Sequence, residues 1–154
     1  MAKLKEFFRA TVKLDPSIDI GPVPTGIRRV IPIIGGTFEG ERIKGEILPV
    51  GADWNLIQPN DIMYVSARYM LKTDDGVVIS ILNEGWAHID DGVMAKIMAN
   101  QLAPDDEGWY VFLHPRFEAP SGKYQWLNER VFVCEMLPPP QQDTVLLIMW
   151  EVTR

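Results

Sequence analysis

The sequence predicts an all-β protein, an antiparallel barrel of about eight strands with one short helix. Three observations predict it. Apolar and polar residues alternate with period two through much of the chain, the pattern of strands with one wet face. Turn signals rich in Gly, Pro, Asn and Asp separate these segments at fairly regular spacing, as in barrels and sandwiches. Glycines recur inside GGTFEGERIKGEILPVGADW, residues 35–54, where they mark the bends that close a small barrel.

The elements follow in order. From Phe8 on, Phe8, Ala10, Val12 and Leu14 share one face while Arg9, Thr11 and Lys13 take the other, a half-buried strand. DPSIDIGPVPTG, with three prolines and two glycines, reads as a loop. GIRRVIPIIGG reads as a strand at an edge or bulged at Pro32, which has no amide donor. TFEGERIKGEILPV continues as a long strand bent at Gly40 and Gly45 and leading into Asp53 and Trp54. DIMYVSARYMLKT and VVISILNEG form a hairpin around DDG, with Asp75-Gly76 suited to a type I′ turn. In IDDGVMAKIMANQL the stripe Met94, Ile97, Met98 and Leu102 predicts a helix capped by Asp90 or Asp91, and APDDEG a loop. WYVFLHPRFEA, YQWLNERVFVCEML and TVLLIMWEVTR read as three more strands. The last is apolar on both faces, so its outer face is expected to be covered by the helix or by a second copy in a homo-oligomer.

The chain of 154 residues is read as one domain, 1–154. Its net charge of −6 and the absence of a basic patch argue against nucleic acid and anionic membranes as partners. No apolar run reaches the roughly 18 residues of a membrane helix, and MAKLKEFFRATVKL lacks the apolar core of a signal peptide. The expectation is a cytoplasmic protein. Cys134, the single cysteine, reads as a small buried thiol. His88 and His114 stand apart from each other and from other ligand types, so no metal site and no cofactor is expected.

Four marks carry a family resemblance: the paired glycines before Phe38, the GADW motif, the Arg68 strand running into DDG, and the run Tyr124, Trp126, Leu127, Asn128. Together, from Gly26 to Val133, they resemble the uncharacterised bacterial and fungal family DUF3237. The resemblance implies a barrel similar to the allene oxide cyclase and dirigent barrels, which enclose apolar small molecules. It implies no activity that transfers residue by residue.

The candidate chemistry comes from the residues themselves. Asp53 beside Trp54 has the makings of a proton-transfer group, since a carboxylate against an aromatic wall has its pKa raised; the structural alternative is a turn-capping Asp and a barrel-plugging Trp. Arg68, placed inside the barrel with Asp53, Glu46 or Glu118 as partner, would stabilise an oxyanion or close a structural ion pair. Tyr124, Trp126 and Asn128, alternating on a strand, would line one pocket wall or fill the core. Glu118 is a second candidate carboxylate or a strand-end charge. Two functions remain open on these residues. One is a cofactor-free isomerase, cyclase or lyase acting on an apolar aromatic or polyketide-like carbonyl compound. In it Asp53 and Arg68 are catalytic, and Trp54, Glu118, Tyr124, Trp126 and Asn128 contact substrate. The other is a non-catalytic binding protein for a hydrophobic metabolite. A barrel filled by its own side chains, with a purely structural role, is a third possibility.

Overall fold

Successive strand residues point to opposite faces, and the apolar set of each segment decides which face turns inward. In the computed structural model, which describes residues 1–101 and 107–154, this sorting produces one antiparallel sheet. Its strands are β1 (Lys3–Leu14), β2 (Ile18–Val23), β3 (Gly26–Glu39), β4 (Lys44–Ile57), β5 (Met63–Thr73), β6 (Val78–Ile89), β7 (Trp109–Glu118), β8 (Phe132–Leu137) and β9 (Thr144–Thr153). They run in the order β1-β9-β8-β7-β6-β5-β4-β3, and β1 pairs with β3 to close an eight-stranded barrel. The remaining strand, β2, lies along the first half of β3.

β3 changes partner along its length. Residues 26–30 pair with β2, and residues 33–39 pair with β1. The switch falls at Pro32 and the Gly35-Gly36 pair, where the β3–β4 register also shifts. Gly36 has φ 137°, and a Cβ there would strike the Thr11 carbonyl. Pro32 sits beside the bulge its missing amide anticipated.

Several sequence expectations change. The proline-rich segment 18–23 is a strand, not a loop. As an edge strand it can hold Pro22, and Gly21 at φ 92° absorbs the register shift beside it. The β5–β6 connection is the four residues 74–77, with positive φ at Gly76 alone, rather than a type I′ turn. YQWLN is a 3-10 helix, Gln125–Glu129, and the strand begins only at Phe132. The helix α1 (Asp91–Met98) forms, with Asp90 at its N-cap, but its buried residue is Val93 and Met98 is exposed. Leu102 and the loop residues 103–106 lie outside the described residues. On β9, Ile148 is buried while Leu146 and Trp150 are half-buried, and the Trp150 indole donates to Glu135 on β8. Among the described residues no helix is long and apolar enough to cross a membrane.

The barrel interior has two ends. At one, Phe7, Phe8, Phe38, Phe117 and Phe132 pack ring against ring at 4.9–6.3 Å. A bulge between Glu6 and Phe8 turns both Phe7 and Phe8 inward. The 3-10 helix plugs this end with Leu127 and Trp126, and Arg42 lies over the Phe7 and Trp126 rings while pairing with buried Glu151 at 2.6 Å. Burial of rings of this size supplies much of the stability of a core. The other end is lined by Val, Ile, Leu and Ala and is left partly empty.

Candidate functional site

The empty end holds a cavity of about 160 Å³. Its walls are aliphatic, among them Val12, Ile33, Val65, Ala67, Val111 and Leu147. Five polar side chains interrupt them: Arg29 from β3, Asp53 and Asn55 from β4, Tyr69 from β5 and Asn83 from β6. Apolar walls with a few convergent polar groups are the composition of small-molecule sites.

Asp53 reaches this cavity because of the bend before it. The β4–β5 register shifts between Ile47 and Gly51. Gly51 takes φ 117° where a Cβ would meet the Arg68 carbonyl, so β4 re-enters the ladder with Asp53 and Asn55 facing inward. The Asp53 carboxylate accepts a hydrogen bond from the Ser66 backbone N–H at 2.8 Å and from the Asn55 amide at 3.3 Å. The Asn55 carbonyl oxygen in turn accepts from Arg29 Nε at 3.0 Å. Arg29 therefore reaches Asp53 through Asn55, and its other hydrogen-bond partner among the described residues is the Met63 thioether. Burial raises the Asp53 pKa above the usual carboxylate range; the Ser66 and Asn55 hydrogen bonds and the charges of Arg29 and Arg28 oppose that rise without cancelling it.

Deeper in the cavity, Asn83 is 1% exposed. Asn83 stands beside the Tyr69 hydroxyl and the Cys134 thiol and opposes the effect of burial on both. Burial is the main reason that both titrate high, the Cys134 thiol at about 12. Cys134 is thus the inert buried thiol its strand context implies.

The structure separates the other sequence candidates from this cavity. Arg68 is exposed on the outer face of β5, whose inward set is Val65, Ala67, Tyr69 and Leu71. Water, rather than an interior acid, solvates its charge. Trp54 is 48% exposed, because neighbours on a strand cannot both point inward and Asp53 does. Glu118 is exposed at the end of β7. Tyr124, Trp126 and Asn128 belong to the aromatic end. The Tyr124 hydroxyl donates to Asp75, Trp126 packs on Phe7, and the Asn128 side chain holds both backbone groups of Ala119. Their alternation belonged to a 3-10 helix, not a strand. Among the described residues no group of three His, Cys, Asp or Glu side chains is arranged to hold a metal ion.

Sequence reasoning missed Arg29, Asn55, Tyr69 and Asn83. A signal for the first existed, since Arg29 shares the period of Ile31 and Ile33. Asn55 stands two residues from Asp53 and so shares its face. Asn83, in VVISILNEG, alternates with Ile79 and Ile81.

Comparison with known proteins agrees with the fold. A protein of Rhodopseudomonas palustris (strain TIE-1) described as a UPF0311 protein is 36% identical over 129 residues, covering 84% of each chain. The crystal structure of a conserved protein of unknown function from the same species superposes with TM-score 0.88 at 33% identity, covering 99% of each chain. A structure described as an enzyme from Penicillium herquei shares the fold at TM-score 0.72 and 18% identity, covering 99% of this chain and 95% of that one. The profile of the family described as protein of unknown function DUF3237 matches residues 2–152, and the chain belongs to that family.

Proposed function

We propose that the protein is a cofactor-free enzyme of the isomerase, cyclase or lyase type, acting on a small apolar carbonyl compound held in the barrel cavity. The observation that carries this reading is the half-buried Asp53 carboxylate, its pKa raised, at an aliphatic cavity beside a guanidinium. Asp53 takes a proton from carbon next to the substrate carbonyl, and the electron pair moves onto the carbonyl oxygen as an enolate. Arg29 stabilises that oxyanion, the part first assigned to Arg68. Protonated Asp53 then returns the proton to a different carbon in an isomerisation, or to a departing oxygen in an elimination. Asn55 holds both charged groups in register.

The aliphatic walls equally suit an apolar ligand that is bound and not altered, the second reading. One experiment separates the two. Purified protein is incubated with small-molecule extracts, and the mixture is followed by mass spectrometry with wild type and Asp53→Asn in parallel. The enzyme reading expects one compound consumed by wild type and retained, unaltered, by Asp53→Asn. Equal consumption by both removes Asp53 from the chemistry. A compound bound by both and altered by neither establishes the carrier.

A further inference from the structure

The cations of this protein divide by what answers their charge. Arg42 pairs with Glu151 at 2.6 Å, Arg9 with Glu6 at 2.8 Å and Lys123 with Asp75 at 3.1 Å. Arg29, half-buried in the cavity wall, pairs with no carboxylate among the described residues. A guanidinium has five N–H donors. Two of those on Arg29 are engaged, one by the Asn55 oxygen at 3.0 Å and one, weakly, by the Met63 thioether at 3.5 Å. The rest meet no acceptor of the protein among the described residues. A charge partly withdrawn from water and answered only by neutral groups is costly, so the site gains from an anion.

The register places this guanidinium at the rim of the cavity. Arg29 pairs with Asn55, and Ile31, one inward position further along β3, pairs with Asp53. Met63, which Arg29 touches, is the first residue of β5. Past Asp53 the walls are aliphatic, with Val65 and Ala67 from β5 and Val111 and Leu113 from β7. The space of about 160 Å³ is comparable to an engineered cavity of about 150 Å³ that takes up benzene. The charges that act on the Asp53 carboxyl come from Arg29 and Arg28, both basic. The rim is thus locally positive in a chain of net charge −6.

We propose that the ligand is a small monocarboxylate, its carboxylate accepting from the unengaged N–H groups of Arg29 at the rim and its apolar body, one ring or a short branched chain, filling the aliphatic space past Asp53. The planar guanidinium fork matches a carboxylate in both shape and charge. The inference rests on the cavity being the ligand site and names the ligand class, but it does not require that Asp53 perform chemistry. In the catalytic reading the substrate is then an oxo acid whose ketone oxygen lies beside its carboxylate, so that one fork meets both the carboxylate and the enolate.

The test compares benzoate with benzamide, which are nearly equal in shape and differ in charge, by titration calorimetry on wild type, Arg29→Gln, Arg29→Lys and Arg68→Ala. Wild type should bind benzoate about 10- to 100-fold more tightly, the worth of a hydrogen bond to a charged group, although the net charge of −6 repels anions. Arg29→Gln should lose that preference, and Arg29→Lys, which keeps the charge but not the fork, should keep part of it. Arg68 is exposed on the outer face of β5, so Arg68→Ala should keep all of it. Equal binding of the two probes to wild type, or binding of neither, overturns the proposal. So does a benzoate preference that survives Arg29→Gln or disappears with Arg68→Ala. Should Arg29→Gln fail to fold, the Arg29 Nε–H resonance of wild type decides: it should shift with benzoate and not with benzamide, and equal response to both overturns the anchor. Benzoate has no proton on the carbon next to its carboxyl group, so its binding is independent of turnover. A benzoate preference alongside unchanged consumption by Asp53→Asn removes the enzyme and keeps the carboxylate site. No benzoate preference alongside consumption lost in Asp53→Asn does the reverse.

Discussion

The two ends of the barrel interior are built from the same eight strands and do opposite things. At the aromatic end, rings from β1, β3, β7 and β8 pack tilted or edge to face, a 3-10 helix closes the opening, and Arg42 is neutralised by Glu151 at 2.6 Å. At the cavity end, aliphatic side chains leave space, and Arg29 meets a neutral amide and a thioether in place of an acid. On the proposed reading, stability resides at the first end and function at the second. Polar groups at the first end satisfy each other. At the second, a carboxylate and a guanidinium are joined only through the neutral Asn55 amide.

The largest effect that distinguishes the ends is on turnover. Asp53→Asn should lower it by about 10²–10⁴-fold, the usual contribution of a positioned proton-transfer group, measured on whichever compound wild type converts. Stability should move the other way. A carboxylate whose folded pKa is raised binds its proton more tightly in the folded state, so folding is favoured at low pH and weakened as pH rises through that raised pKa. Asp53→Asn therefore melts higher than wild type at neutral pH, and the difference should vanish in acid. A melting curve at each pH checks this.

Phe132→Ala, at the aromatic end, should cost about 3–5 kcal/mol in denaturant unfolding, because the ring is buried among others, and should leave turnover at the cavity end unchanged under conditions where the variant is folded. A loss of turnover in the folded variant would mean the ends are not independent.

The two arginines sharpen the contrast. Arg42→Ala strands buried Glu151 and should cost about 2 kcal/mol of stability, with turnover retained. Arg29→Ala leaves the buried Asn55 oxygen without its donor and should lower the melting temperature at neutral pH, and it should abolish oxyanion stabilisation. It also removes a charge that lowers the Asp53 pKa, so any residual activity should require higher pH than in wild type. The reverse assignment, with Arg29 structural and Arg42 functional, would break the comparison.

Asp75→Asn should have the smallest effect. The Asp75 carboxylate accepts from the Tyr124 hydroxyl at 2.8 Å and from Lys123 at 3.1 Å, tying the β5–β6 turn to the 3-10 plug. Hydrogen bonds from Thr73, Tyr124 and Lys123 hold it well below the usual carboxylate range. Its stabilising effect is present above the ordinary aspartate pKa and is lost as pH falls through the depressed value. A small fall in melting temperature at neutral pH, absent in strong acid, is expected.

Much of the barrel was legible in the sequence because alternation is a local signal. Phe8 to Leu14 and the β5–β6 hairpin could be read directly. The glycines before Asp53 marked a real bend, and Asp53 faces the cavity. What failed depended on parity or on a partner distant in sequence. The sequence motifs suggest interior positions for Arg68 and Trp54, yet each neighbours an inward residue, and a strand cannot turn both in. Tyr124, Trp126 and Asn128 share a face in a strand, but the β7 end at Ala119, which Asn128 caps through both backbone groups, winds that segment into a helix. Proline content disguised β2, since an edge strand tolerates what an inner strand does not. Asn83 was legible by parity with Ile79 and Ile81, but an Asn among apolar strand residues does not itself point to a cavity.

The most direct measurement is a carbon-detected NMR titration of the side-chain carboxyls, following Asp53 and Asp75 in the same sample. Asp53 should titrate above the ordinary aspartate value and move higher still in Arg29→Ala, while Asp75 titrates below that value and does not respond. An Asp53 midpoint at or below the ordinary value, or one indifferent to Arg29, would contradict the assignment of the cavity end as the site of proton transfer.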